Sequence, residues 1–262
     1  MSSSRLLWAL GGLVAALAVP AQQPGDAPAR NDWDIGLGAA TIISPDFPGS
    51  TDTDVMPVPF IDIEYKDRFF LNVPRGIGAY LVREKADSGW GHSFGLSIAP
   101  EFEDREREDA PNLPEVDMTA TGRVFGGLSY GDFSLEATFA HDIIGNGHDG
   151  YWLDLDLDWS QRIGRNGFIS LGPQVRFAGG DYMESFFSVT PTASATSGLP
   201  VFNADAGLTH AGARLLASWR VTRHWEVFGL FNYEHLVGDA GDSPITVDDE
   251  QLSSVVALVY RF

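Results

Sequence analysis

Three aspartates spaced two residues apart in the stretch YWLDLDLDWS, Asp154, Asp156 and Asp158, have the chemistry to attract a hard cation such as calcium. On an extended strand they share one face, but neighbours along it sit about 6 to 7 Å apart, too far for all three to grip one ion. The ladder is therefore expected to form a solvated lumen wall, faced by Arg123, Arg176, Arg214 and Arg220 from other strands. Hydrolytic chemistry would need a Ser–His pair with an acidic or amide partner. Of the six histidines (His92, His141, His148, His210, His224 and His235), His141 is followed by Asp142 and lies seven residues after Ser134. No spacing signature marks these as a triad, and isolated interfacial histidines are the simpler reading. The segment from Gly145 to Gly150 has turn composition but lacks the ligand order and terminal Glu of an EF-hand. The run EFEDREREDAPNLPE, from Glu101 to Glu115, mixes both charge signs with two prolines and is expected to be a mobile, solvated surface loop. These residues assign no catalytic, cofactor-binding or metal site, and the chain is expected not to be an enzyme.

Composition narrows the partners. The 262 residues suffice for one large β domain, and the absence of cysteine removes disulfides, thiolate metal sites and lipid-anchored lipoproteins together. Lys and Arg number 17 against 36 Asp and Glu, a net charge of −19, which would repel a phosphate backbone. Nucleic acid is excluded on that ground.

The elements that position these residues are read from the N-terminus. Arg5 precedes the apolar run Leu6 to Val19, and Pro20 and Ala21 supply a small-residue end. That order predicts a signal peptide over 1–21, cleaved after Ala21 or alternatively after Ala18, because the run is too short for a membrane span. Residues 22–32 read as a polar periplasmic linker. No later window is apolar enough for a spanning helix, so entry into a membrane would require a closed sheet.

From Trp33 the period is two. Trp33, Ile35, Leu37, Ala39 and Ile43 share a face; so do Trp90, His92, Phe94, Leu96, Ile98 and Phe102, and so do Leu153, Leu155, Leu157 and Trp159. Segments of about 10 to 12 residues match the length of a tilted membrane strand. Aromatic residues gather at segment ends, short turns alternate with long polar loops, and SSVVALVYRF places Tyr260 and Phe262 on one face of the last segment. An alternating strand closing on Phe resembles the signal read by outer-membrane assembly machinery. The expected fold is an all-β transmembrane antiparallel barrel over 33–262, with about twelve strands and ten as the alternative. The stretch 68–83 is ambiguous, since Pro74 and Gly76 fit either a short hairpin or one bulged strand.

Two loop segments are more particular. DYMESFFSVTPTASATSGLPVFNADAGL spans Asp181 to Leu208, and LVGDAGDSPIT spans Leu236 to Thr246. With IISPDFPGS and the closing VYRF, they resemble the MipA/OmpV family of outer-membrane proteins. Tyr182, Phe187, Val189, Ser197, Gly198, Leu199, Pro200 and Gly207 carry the first match; Gly238, Asp239, Ala240, Ser243, Pro244 and Ile245 carry the second. Ser188 stands where glycine is expected and Phe202 where tyrosine is usual. The resemblance implies a bacterial outer-membrane location, contact with lipid and lipopolysaccharide, and a non-enzymatic scaffold for peptidoglycan remodelling. It implies as partners a lytic transglycosylase and a bifunctional penicillin-binding protein, with no catalytic residue to carry over. A small pore for polar solutes is the alternative, an envelope-lipid-modifying enzyme a weaker one. The expected topology places both stretches in long outer loops, SGLP and DSPI are turn-forming, and the loops either fold inward to plug or brace the barrel mouth or line a ligand site.

Overall fold

A computed structural model describes residues 32–84, 89–106, 110, 112–145 and 147–262. The expected signal peptide and nearly all of the linker lie outside these residues. Twelve strands close into one antiparallel barrel in sequence order. They are β1 (Trp33–Pro45), β2 (Thr53–Tyr65), β3 (Phe69–Asn72), β4 (Gly76–Glu84), β5 (Trp90–Glu101), β6 (Thr119–Tyr130), β7 (Phe133–Asp142), β8 (Tyr151–Ile163), β9 (Gly167–Ala178), β10 (Gly207–Arg220), β11 (Trp225–Leu236) and β12 (Glu250–Arg261). The ring closes where β1 pairs β12, with Gly36 opposite Arg261 and Ile43 opposite Ser254. No helix among the described residues is long and apolar enough to cross a membrane.

Alternation puts a different chemistry on each surface. Outward residues such as Leu96, Ile98, Leu135, Leu157, Leu171 and Leu258 are exposed apolar groups. A belt of that kind on a soluble protein would aggregate; around a closed sheet it is the face presented to hydrocarbon. Inward positions of β5 are small (Gly91, Ser93, Gly95, Ser97 and Ala99), which makes room for bulk from the neighbouring strand. A Cβ on Gly95 would stand 2.3 Å from the Phe125 ring, so only glycine fits there.

Both described ends, the start of β1 and the end of β12, lie on the rim that carries the tight turns. Paired aromatics ring it: Trp33 with Tyr65 at 4.4 Å, Trp90 with Tyr130 at 5.1 Å, and Tyr260 against Trp225 at 5.2 Å. Tyr260 also meets Phe262 at 4.9 Å. Amphipathic rings favour the headgroup level, which places this rim at one membrane surface.

The 68–83 stretch is a short hairpin, with Asn72 Oδ1 accepting from the Arg75 N–H at 2.9 Å inside its turn. Because β3 has four residues, it pairs only Asp62–Tyr65 of β2. Residues 53–61 of β2 are thus laddered to β1 alone among the described residues. That stretch carries Pro57 and Pro59, a residue type confined to sheet edges because it cannot donate. Phe102, expected to face outward with β5, is instead buried, because the chain leaves the strand at Glu101 and turns into the barrel.

Candidate functional site

The interior is filled from both ends. Arg176 grips Asp154 through Nε at 2.7 Å and Nη2 at 2.9 Å, and reaches Glu103 at 2.7 Å through Nη1. Arg214 spans Asp156 at 3.2 Å and Asp158 at 2.6 Å. The three aspartates are therefore buried in ion pairs, a correction to the solvated wall expected from their spacing. Alternation put them on the inside, and two arginines, one and two strands away, pair with all three. Arg123 pairs with Glu101 at 3.2 Å and lies over the Trp152 indole, while Arg220 sits exposed at the end of β10 and takes no part. Arg75 forms a two-pronged pair with Glu136 at 2.9 and 3.1 Å, hydrogen-bonds Tyr80, and stacks over Phe125. Toward the short-turn end the lumen is apolar, with Leu216, Phe228, Leu230, Ala257 and Val259 buried together.

The mouth is closed by the two family loops. Between β9 and β10 the chain forms α1 (Gly180–Phe187) and α2 (Pro191–Ser197); between β11 and β12 it forms α3 (Asp239–Asp242). The sequence had marked these segments only as loops. Yet Tyr182, Met183, Phe186 and Phe187 recur at helical spacing, and all four are buried against Trp152, Leu236 and Ala240. Thr190 caps α2 by accepting from the Ala193 N–H at 3.2 Å, with Pro191 at the first turn. Gly198 ends it at φ 79°, a conformation glycine adopts without strain. Ser197 Oγ donates to the Ala193 carbonyl at 2.7 Å, and Leu199 packs with Phe47, Val189, Ala193 and Ile245, leaving Pro200 exposed. Val189 and Phe202 exchange backbone hydrogen bonds at 2.8 and 3.0 Å. Ser188 Oγ, at the position where glycine was expected, accepts from the Ala204 N–H at 2.9 Å.

The second loop locks onto the first. Ser243 Oγ donates to the Phe187 carbonyl at 2.6 Å and accepts from the Ile245 N–H at 3.1 Å, across the turn that contains Pro244. Gly238 opens α3 at φ 58°, Asp239 Oδ2 accepts from the Asp205 N–H at 2.8 Å, and Ala240 is fully buried. Tyr182 donates its hydroxyl to Glu103. Burial would raise the Glu103 carboxyl, but Arg176 and the Tyr182 hydrogen bond together hold it below the ordinary carboxylate range.

The clearest omission of the sequence reading is Arg105. It lies in the acidic run expected to be mobile, yet it is 1% exposed. Its guanidinium donates to the Ser185 and Phe186 carbonyls at 2.8 and 2.9 Å and to the Pro114 carbonyl at 2.9 and 3.0 Å. The last carbonyls of α1 have no helical partners, and a buried cation satisfies them. Burial draws the Arg105 pKa down to about 10, still charged at neutral pH. Arg105 also bonds Val116 backbone to backbone, so part of this loop is a folded flap.

Histidines divide by position. His141 points outward while Ser134 lies on the opposite face of β7, so they form no pair. Asp142 instead organises the next turn, accepting from Thr119 Oγ1 and the Ile144, Gly145 and Asp149 N–H groups at 2.5 to 3.1 Å. His224 stacks on Tyr260 at the rim. His148, however, is buried at 1% exposure against Tyr182 and Phe186, accepting from the Gly150 N–H at 3.0 Å. Burial lowers its pKa from 6.5. Its neutral form is thus favoured by folding, and the stability this contributes is complete above pH 6.5 and lost as pH falls toward the depressed value. Acidification below 6.5 is expected to loosen the plug, read as faster proteolysis of 179–206 in membrane-inserted protein. His148→Leu should remove that step; an unchanged step in the variant would exclude His148 as its source. Among the described residues no group of three or more His, Asp or Glu is arranged to hold a metal ion.

No curated protein matches the chain. Among solved structures, OprB of Pseudomonas putida in its high-pH form aligns at 14% identity over 79% of this chain, with a TM-score of 0.41. The chain spans only 59% of OprB. OmpT, an outer membrane protein of Vibrio cholerae, aligns at 8% identity over 88% of this chain and 98% of its own, with a TM-score of 0.35. The family described as MltA-interacting protein MipA matches over residues 37–262, from the first strand to the last residue, and the chain belongs to that family.

Proposed function

We propose that this outer-membrane β-barrel is a non-enzymatic scaffold on which peptidoglycan-remodelling proteins dock. The observation that carries the reading is the family, whose name records an interaction with MltA. The filled lumen supports it: ion pairs cross the interior and the family loops close one end. The partners on this reading are a lytic transglycosylase and a bifunctional penicillin-binding protein. Outer-membrane barrels carry their short turns on the periplasmic side, which would put this rim toward the cell wall.

One arc of that rim is basic although the chain as a whole is acidic: Arg162, Arg165, Arg220 and Arg223 stand exposed on the neighbouring β8–β9 and β10–β11 turns. Lys66 and Arg68 are exposed too, but beside Asp32 and Asp67. A cluster of cations there suits an acidic patch on a periplasmic partner, giving orientation and a salt-dependent on-rate. Crosslinking in intact envelopes should recover a transglycosylase or penicillin-binding protein. Reversing Arg162, Arg165, Arg220 and Arg223 to glutamate should abolish that product while heat-modifiable gel migration stays normal. Absence of both partners from the wild-type crosslinks would overturn the reading. Planar-bilayer recording is expected to show no conductance steps; regular steps would favour the pore instead.

A further inference from the structure

The buried arginines of the barrel are all satisfied, as Arg176 is by Asp154 and Glu103, Arg214 by Asp156 and Asp158, and Arg105 by the carbonyls that end α1. Those of the β8–β9 and β10–β11 turns are not. Among the described residues, the guanidinium groups of Arg162, Arg165, Arg220 and Arg223 enter no ion pair. Glu226, directly across the ladder from Arg220, is held by Arg261 at 3.2 Å instead. In a chain of net charge −19, four free cations side by side leave a place for an anion from outside.

Their surroundings narrow the choice of anion. The Arg220 N–H donates to the Asn166 carbonyl at 2.9 Å, which ties the two turns together. Strand alternation puts Arg162 of β8 and Arg220 of β10 on the lumen side, the face that carries Asp158 and Leu216. Across that face one row of the ladder reads Arg162, Phe168, Ser218, Phe228. Both rings of the row pack in the lumen's apolar cluster, and Phe168 and Ser218 stay half-buried. Arg220 is the next lumen-facing position after Ser218, toward the rim. Adjacent strands lie about 4.8 Å apart, so the two arginines start roughly 10 to 12 Å from each other at Cα, near enough to share one carboxylate.

A lipid phosphate is on the wrong side of the wall, since the membrane meets the outward Trp159 and Trp219. A broad acidic surface cannot follow the strands inward to the Phe168 ring. A chain end can. We propose that this lower mouth takes a free peptide carboxylate borne on a small apolar last residue. The carboxylate lies between Arg162 and Arg220, and the last side chain meets Phe168. This rests on the docking reading and names the chemistry of its rim. The terminus comes either from a partner protein or from a cell-wall peptide ending in D-alanine.

The test is calorimetric titration of the barrel in zwitterionic lipid nanodiscs with acetyl-Ala-Ala and with acetyl-D-Ala-D-Ala, each beside its C-terminal amide. At least one free acid should bind saturably with a Kd of about 1 mM or below, and its amide at least about tenfold more weakly, because the charge-assisted bonds need the anion. Arg162→Gln and Arg220→Gln should each weaken binding about tenfold, whereas Lys66→Gln, at a cation already beside Asp32, should leave it unchanged. Heat-modifiable migration checks that each variant is folded. Binding of the L peptide alone supports a protein terminus, of the D peptide alone a cell-wall peptide, and of both alike a carboxylate site without choice of hand. No saturable binding of either acid, equal binding of the amides, or unchanged affinity in both arginine variants would overturn the proposal. Envelope crosslinks that persist when neither acid binds would leave docking standing, and peptide binding without crosslinks would remove docking alone.

Discussion

Replacing Arg176 with methionine is expected to destabilise the barrel by about 3–5 kcal/mol, because it strands the buried Asp154 and the half-buried Glu103 without their shared cation. Arg176 is 2% exposed, holds both oxygens of Asp154 and one of Glu103, and covers the Trp152 indole at 4.3 Å. Methionine keeps much of the packing volume, so the loss isolates the charge. Urea unfolding in lipid vesicles, followed by tryptophan emission, measures it. The triple variant Arg176→Met, Asp154→Leu, Glu103→Gln should regain most of the stability, since removing all the charges together leaves none unpaired. A single-variant loss below about 1 kcal/mol would mean that these pairs are hydrated like surface ones.

An arginine on the outer belt tests the other surface. Leu96 lies midway along β5, between Ala79 of β4 and Val124 of β6, and points outward at 43% exposure. Leu96→Arg is expected to cost about 2–4 kcal/mol in a bilayer, as for a charge near the midplane of a membrane barrel. Leu96→Phe at the same position should be nearly silent. Were this face solvated, the arginine would change stability by about 0.5 kcal/mol or less.

Local pattern made the strands legible, and tertiary partners hid the rest. The twelve-strand count follows from a period of two and the turn residues between segments, both of which are properties of neighbours in sequence; Pro74 and Gly76 left 68–83 open between a hairpin and one bulged strand until its pairing was seen. The partner of Asp154 is not local: Arg176 lies 22 residues away, and only the register of β8 on β9 sets them side by side. The same distance hid Arg105, whose composition announced a solvated run until the C-terminus of α1 arrived some 80 residues later to accept its donors. The helices were readable in principle. Thr190–Pro191 followed by Gly198 is a start and stop signal, and the four buried residues of α1 keep helical spacing. The motif residues were legible as a set; that Ser243 bonds Phe187, joining the two loops, required their three-dimensional arrangement.

The brevity of β3 reaches beyond the protein. Among the described residues, 53–61 of β2 are laddered on one side only, by β1. Pro57 and Pro59, which have no N–H to leave unpaired, suit that one-sided stretch. The shorter ladder beside β2 is expected to give the barrel a lateral front and back, with a thinner bilayer on that flank, which spin-labelled lipid contacts measured around the circumference would check.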